Sequence, residues 1–160
     1  MKKNLFILDV LIIAFVFVLG ILISNILNPN LDQPFGYSNE IQSPNDWITD
    51  SDIKVYQDKV IINVENTRYV GIANTNSMDP FIDENTNVLE ILPENLNDIQ
   101  VGDIISFEIE TGDVYIHRVV NKGYDEQGLY FITKGDNNPS VDPIVVYPDQ
   151  ILGVVAIVIY

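Results

Sequence analysis

One apolar stretch near the N-terminus constrains this chain more than any other feature. From Leu5 to Leu27 the sequence runs for 23 residues with a single charge, Asp9. As a helix the run would be about 35 Å long at about 1.5 Å per residue, enough to cross a hydrocarbon layer of roughly 30 Å. With Asp9 at headgroup level, Val10 to Leu27 still nearly suffices. A cleavable secretory signal is the competing reading, since it also combines a basic start with an apolar run. Against it, the run is long for such a signal, and Asn25-Ile26-Leu27-Asn28-Pro29 offers no small-x-small cleavage site. An uncleaved anchor over 5–27 is therefore expected, in contact with the lipid bilayer. Lys2 and Lys3 precede the run, and no Lys or Arg follows it until Lys54. That asymmetry predicts a cytoplasmic segment 1–4 and a single-pass protein of the cell membrane whose bulk lies outside the cytoplasm.

The rest of the chain is acidic. Residues 28–160 keep 6 of the 8 basic residues and 22 of the 23 acidic ones, a formal charge of −16. Nucleic acid is excluded as a partner, because that affinity depends on Lys and Arg releasing counterions from phosphates. The chain has no cysteine. Disulfides, zinc–thiolate sites, iron–sulfur clusters and cysteine nucleophiles are thereby excluded together.

Residues 28–52 read as a linker, with Pro29, Pro34 and Gly36 among many Asn, Asp and Ser. Ser43-Pro44-Asn45-Asp46 has the pattern of a helix start, Ser43 as N-cap and Pro44 in the first turn, so a short helix ending near Asp50 is expected. Trp47 is expected to rest on the core. From residue 53 the pattern changes to short runs of branched and aromatic residues separated by turn residues. They are Val60–Val64, Tyr69–Ala73, Val88–Leu92, Asp103–Ile109, Val114–Asn121, Leu129–Thr133 and Gln150–Ile159. Such runs signal strands. Residues 110–113 and 122–128 read as connections between successive antiparallel strands, and 94–99 as at most a turn. The expected fold is an all-β, antiparallel catalytic domain over 53–160 carried by one N-terminal transmembrane helix.

Three segments could carry chemistry. His117 is the only histidine. In a strand it shares a face with Tyr115 and Val119, where it reads either as a packing residue or as a base. Asn74-Thr75-Asn76-Ser77-Met78-Asp79-Pro80 reads as a surface turn, or as a stiffened segment whose Ser77 hydroxyl projects at a strand end with Thr75 beside it. Lys134-Gly135-Asp136-Asn137-Asn138-Pro139-Ser140-Val141-Asp142 sets two carboxylates six residues apart around a tight turn. Asp and Asn there normally bond their own backbone. Calcium is conceivable, although the spacing is not that of an EF-hand.

Taken in order, these segments resemble the type I signal peptidase family, in its endoplasmic-reticulum and archaeal branch, where histidine stands in place of the bacterial lysine. Ser77-Met78-Asp79-Pro80 matches Ser-Met-x-Pro, and Val101-Gly102-Asp103-Ile104-Ile105-Ser106-Phe107 matches the Gly-Asp strand box. Ile116-His117-Arg118-Val119 matches the His-Arg box, and Lys134-Gly135-Asp136-Asn137-Asn138 the Gly-Asp-Asn-Asn box. The likeness covers 5–27 and about 53–160. It implies a signal-peptidase-like β domain with Ser77 as nucleophile, His117 as general base and Asp142 as the acid that orients the imidazole. Asp136 is the alternative acid, with the holding of the loop as its other role. It further implies an oxyanion site from the Ser77 backbone N–H and the Thr75 hydroxyl. No cofactor and no metal are implied. Two departures stand out: Asn76 where the family usually has Gly or Asp, and Asp83-Glu84-Asn85-Thr86-Asn87 where it often has Gly-Asp.

The implied function is a membrane-anchored serine endopeptidase that removes signal peptides from secretory preproteins at the outer face of the membrane. An imidazole base titrates near neutrality, so activity is expected to fall on acidification. Two alternatives remain at this stage: a specialised processing peptidase for a few surface proteins, and a non-catalytic anchored β binding module. Translocon or accessory subunits as partners, like the substrate range, are open in the sequence.

Overall fold

The computed structural model describes residues 2–27 and 41–160, and within the N-terminal helix the side chains of 11–23. The chain divides into two compact units, Met1–Glu40 and Ile41–Tyr160. In the first, helix α1 covers Lys2–Leu27. Over 11–23 it is apolar on every side, with Ile13, Phe15 and Phe17 all exposed. Among the described residues no helix is long and apolar enough to cross a membrane. The span expected over 5–27 reaches beyond the described side chains at both ends, and most of the linker expected over 28–52 also lies outside the described residues.

The second unit is mostly antiparallel β-sheet, as the runs of branched residues predict. A separate hairpin pairs β1 (Ile53–Val55) with β2 (Val60–Ile62). The remaining strands are β3 (Thr67–Gly71), β4 (Asn87–Ile91), β5 (Ile104–Glu108), β6 (Val114–Asp125), β7 (Gly128–Lys134), β8 (Val145–Val146) and β9 (Ile151–Ile159). They form one curled sheet in the order β3-β4-β9-β5-β6-β7-β8. Register shifts in β4, β5 and β6 bend the strands, as an extra residue on one side of a ladder does.

Both faces of the sheet are covered. One cluster contains Ile105, Phe107, Val119, Phe131 and Val154, with Trp47 packed against it as expected. The other contains Met78, Ile82, Val88, Ile104 and Val155. Each such side chain contributes about 1.5–3 kcal/mol on leaving water. Strand β6 lies between them, so Ile116 packs on the second cluster while Val119 packs on the first. The predicted alternation along this strand is therefore present.

Three expectations are corrected. Residues 41–47 form no helix; the only helical turn nearby is a 3-10 turn at Asp50–Asp52. The Asn45 backbone N–H, which a helix would need in its first turn, donates instead to Asp103 Oδ1 at 2.6 Å. The connection expected over 122–128 is mostly strand. β6 runs on to Asp125 and turns through Glu126-Gln127 into Gly128, whose φ of 114° suits a glycine. Finally, β1 and β8 were not anticipated, since three and two residues give too little periodicity to read.

Candidate active site

The sheet brings His117 to a carboxylate 25 residues further along the chain. Its Nδ1 lies 2.7 Å from Asp142 Oδ2. His117 is 4% exposed, and the rings of Tyr115 and Phe107 stand edge-on to it at centroid distances of 5.8 Å and 6.5 Å. The imidazole is thus held in one orientation by packing, and its Nδ1 is committed to the carboxylate. Asp142 is fixed in turn. The Thr133 hydroxyl donates to its Oδ2 at 2.6 Å, and its own backbone N–H donates to the Thr133 carbonyl at 2.8 Å. Thr133 is the polar member of an inward row, Leu129, Phe131, Thr133, in β7. It pairs with Val119, so it lies diagonally across from His117. Sequence reasoning did not single it out; a hydroxyl closing an otherwise apolar inward row was the available signal.

Ser77 sits in the loop after β3, half-buried, just before the fully packed Met78. Its hydroxyl lies 3.0 Å from that of Thr75. An extended chain is not what aligns the two. Asn76, between them, has φ 56°, the left-handed region that Asn tolerates better than most residues. The 135–138 loop grips this segment from the other side. The Asn137 N–H donates to the Ser77 carbonyl at 3.0 Å, the Asn137 side-chain amide donates to the Asn76 carbonyl at 2.9 Å, and the Asp136 N–H meets Met78 Sδ at 3.4 Å. The approach is so close that a Cβ on Gly135 would lie 2.5 Å from the Ser77 carbonyl oxygen. Only glycine fits there.

Asp136 does not reach the histidine. Both its oxygens are taken by Arg118, at 2.8 Å to Nε and 2.6 Å to the second terminal nitrogen. Of the two carboxylates considered from sequence, Asp142 is therefore beside His117, and Asp136 holds the loop. Ser77 adjoins Met78 of the second core cluster, whereas His117 lies against Phe107 of the first, on the face of β6 opposite Ile116. Among the described residues no hydrogen bond joins the Ser77 and His117 side chains; such bonds are often formed only with substrate in place.

An open cleft of about 1280 Å³, bordered by Glu108, Glu110, Ile144, Tyr147 and Asp149, contains none of these residues. Among the described residues no three His, Asp or Glu side chains gather as a metal site. Elsewhere in the sheet, Glu90 is fully buried with neither oxygen hydrogen-bonded. Burial raises its pKa. The Ser106 hydroxyl and the Arg68 guanidinium, 3.9 Å away, offset this only in part, and Ser106 lies near without completing a hydrogen bond.

No family model matches the chain, and no curated protein or solved structure matches it.

Proposed function

We propose that this protein is a membrane-anchored serine endopeptidase of the signal peptidase I type, cleaving signal peptides from exported preproteins. The observation that carries the reading is the 2.7 Å bond between His117 Nδ1 and Asp142 Oδ2, formed across 25 residues in a buried setting. With Nδ1–H donating to the carboxylate, Nε2 of the neutral ring is left with a free lone pair, which is what a general base needs. Ser77 would attack the scissile carbonyl while its proton passes to Nε2. The resulting imidazolium, steadied by Asp142, would return that proton to the leaving amine. Water would then release the acyl group by the same route in reverse. Thr75 and the Ser77 backbone N–H would stabilise the oxyanion.

The N-terminal run supports an anchored enzyme, with 1–4 cytoplasmic, 5–27 in the bilayer and the β unit outside. An anchor of this kind would confine hydrolysis to the membrane surface, where cleavage sites emerge. Small side chains at the first and third positions before the cut are the expected substrate signature. The test is cleavage of a model preprotein in membranes containing either the native chain or Ser77→Ala. Processing by the native chain and its loss in the variant are expected; equal processing by both would end the proposal.

A further inference from the structure

We propose that residues 42–47 are a positioning strap for the candidate active site, fastened by Asp103 and Arg118 and acting through the 135–142 loop. The proposal rests on the peptidase reading and assigns work to residues outside the Ser77, His117 and Asp142 set.

The strap is held more tightly than a linker requires. The buried Asp103 carboxylate accepts from the Asn45 N–H at 2.6 Å and the Trp47 indole N–H at 3.0 Å, both on Oδ1, and from the Gln100 N–H at 2.8 Å on Oδ2. Gly102, with φ 107°, lets the Ser43 carbonyl come so close that any Cβ there would collide with it. Both anchoring residues are tied to the histidine strand. The Gly102 N–H donates to the Val119 carbonyl at 2.9 Å, and the Val119 N–H to the Asp103 carbonyl at 2.8 Å, two residues from His117.

Arg118 links the strap to the site. One terminal nitrogen donates to the Gln42 carbonyl at 3.4 Å and to the Gly102 carbonyl at 2.7 Å. The rest of the guanidinium forks onto Asp136. Asp136 opens the loop that grips Ser77 through Asn137 and carries Asp142 to His117. One buried side chain therefore spans from the strap to the loop on which both halves of the site depend. Loosening the strap removes a partner from Arg118 and Asp103 and lets that loop drift. Misplacement of about 1 Å at reacting groups costs roughly 10²-fold in rate.

The chain supplies its own probes, because Trp47 is its only tryptophan and His117 its only histidine. The experiment uses the full chain in detergent micelles, native and as Asp103→Asn. It records acrylamide quenching of Trp47, the ring NMR signals of His117, and kcat and KM on a synthetic peptide with alanine at the first and third positions before the cut. Expected are stronger quenching, displaced His117 signals and kcat lowered roughly 10- to 100-fold with KM little changed. Trp47→Phe keeps an aromatic ring at this position, removes the N–H that bonds Asp103 and shortens the side chain. Should Asp103→Asn fail to fold, it must show the same His117 displacement and kcat loss. A freed strap with unmoved His117 signals and native kcat overturns the proposal while leaving the peptidase reading intact. Displaced His117 signals in a chain whose native form cleaves nothing support the positioning role and defeat the peptidase reading.

Discussion

The two halves of the candidate site are built differently. In the proposed proton-handling half, His117 and Thr133 are buried on the paired strands β6 and β7, and Asp142, on the loop after β7, is hydrogen-bonded to both. The proposed nucleophile half, Thr75 and Ser77, lies on a loop and is set by a left-handed residue, a glycine approach and the grip of Asn137. Strand pairing fixes His117 and Thr133 of the first half wherever the sheet folds, and the loop after β7 brings Asp142 to them. The second depends on two loops finding each other. Orientation of the base is thus a property of the fold, whereas orientation of the hydroxyl is a property of docking, and substrate is the natural partner to complete it.

The contrast can be broken most forcefully at the reacting groups. Ser77→Ala and His117→Ala should each lower kcat by about 10⁴–10⁶, and the double variant should be no worse than either, because residues acting as a unit are not additive. Single-turnover kinetics on a model preprotein would show it. Asp142→Asn should follow, at about 10⁴ in kcat, because an amide leaves the imidazole in the wrong tautomer. Its circular dichroism should stay native, since the sheet does not depend on the carboxylate. Thr75→Val should cost about 10²–10³ in kcat with KM nearly constant, if its hydroxyl serves the oxyanion. A rise in KM alone would make Thr75 a binding residue instead.

The smallest effect lies outside both halves and concerns stability only. Glu90 has its folded pKa raised by burial, so ionising it opposes folding. Stability is therefore lost as pH rises from the unfolded carboxyl value through the raised folded one, and the cost is complete above the latter. Glu90→Gln should raise Tm at neutral pH by a few degrees, on the order of 1 kcal/mol. Calorimetry should show that gain shrinking towards acid pH, where the native carboxyl is itself neutral. A gain constant across pH would assign the effect to packing.

Much of the β architecture was legible because branched and aromatic runs alternate with turn residues. Seven of the strands lie on the runs read from sequence, with shifts of one to a few residues at their ends. The helix expected at Ser43 failed for a nameable reason. Capping pattern is local, whereas the Asn45 N–H is claimed by a carboxylate 58 residues away. The same limit hid Thr133 and the double duty of Arg118, whose partners lie on distant loops that only the fold brings to them. Asp136 and Asp142 could not be separated by spacing; that choice depends on which of them faces the imidazole and which the guanidinium.

The left-handed turn at Asn76 narrows the paths open to this chain under mutational drift. A backbone at φ 56° admits few residue types without penalty, chiefly Gly, Asn and Asp. A library randomised at that codon and selected for processing should return this small alphabet and little else. Branched side chains there would be purged although they touch neither hydroxyl.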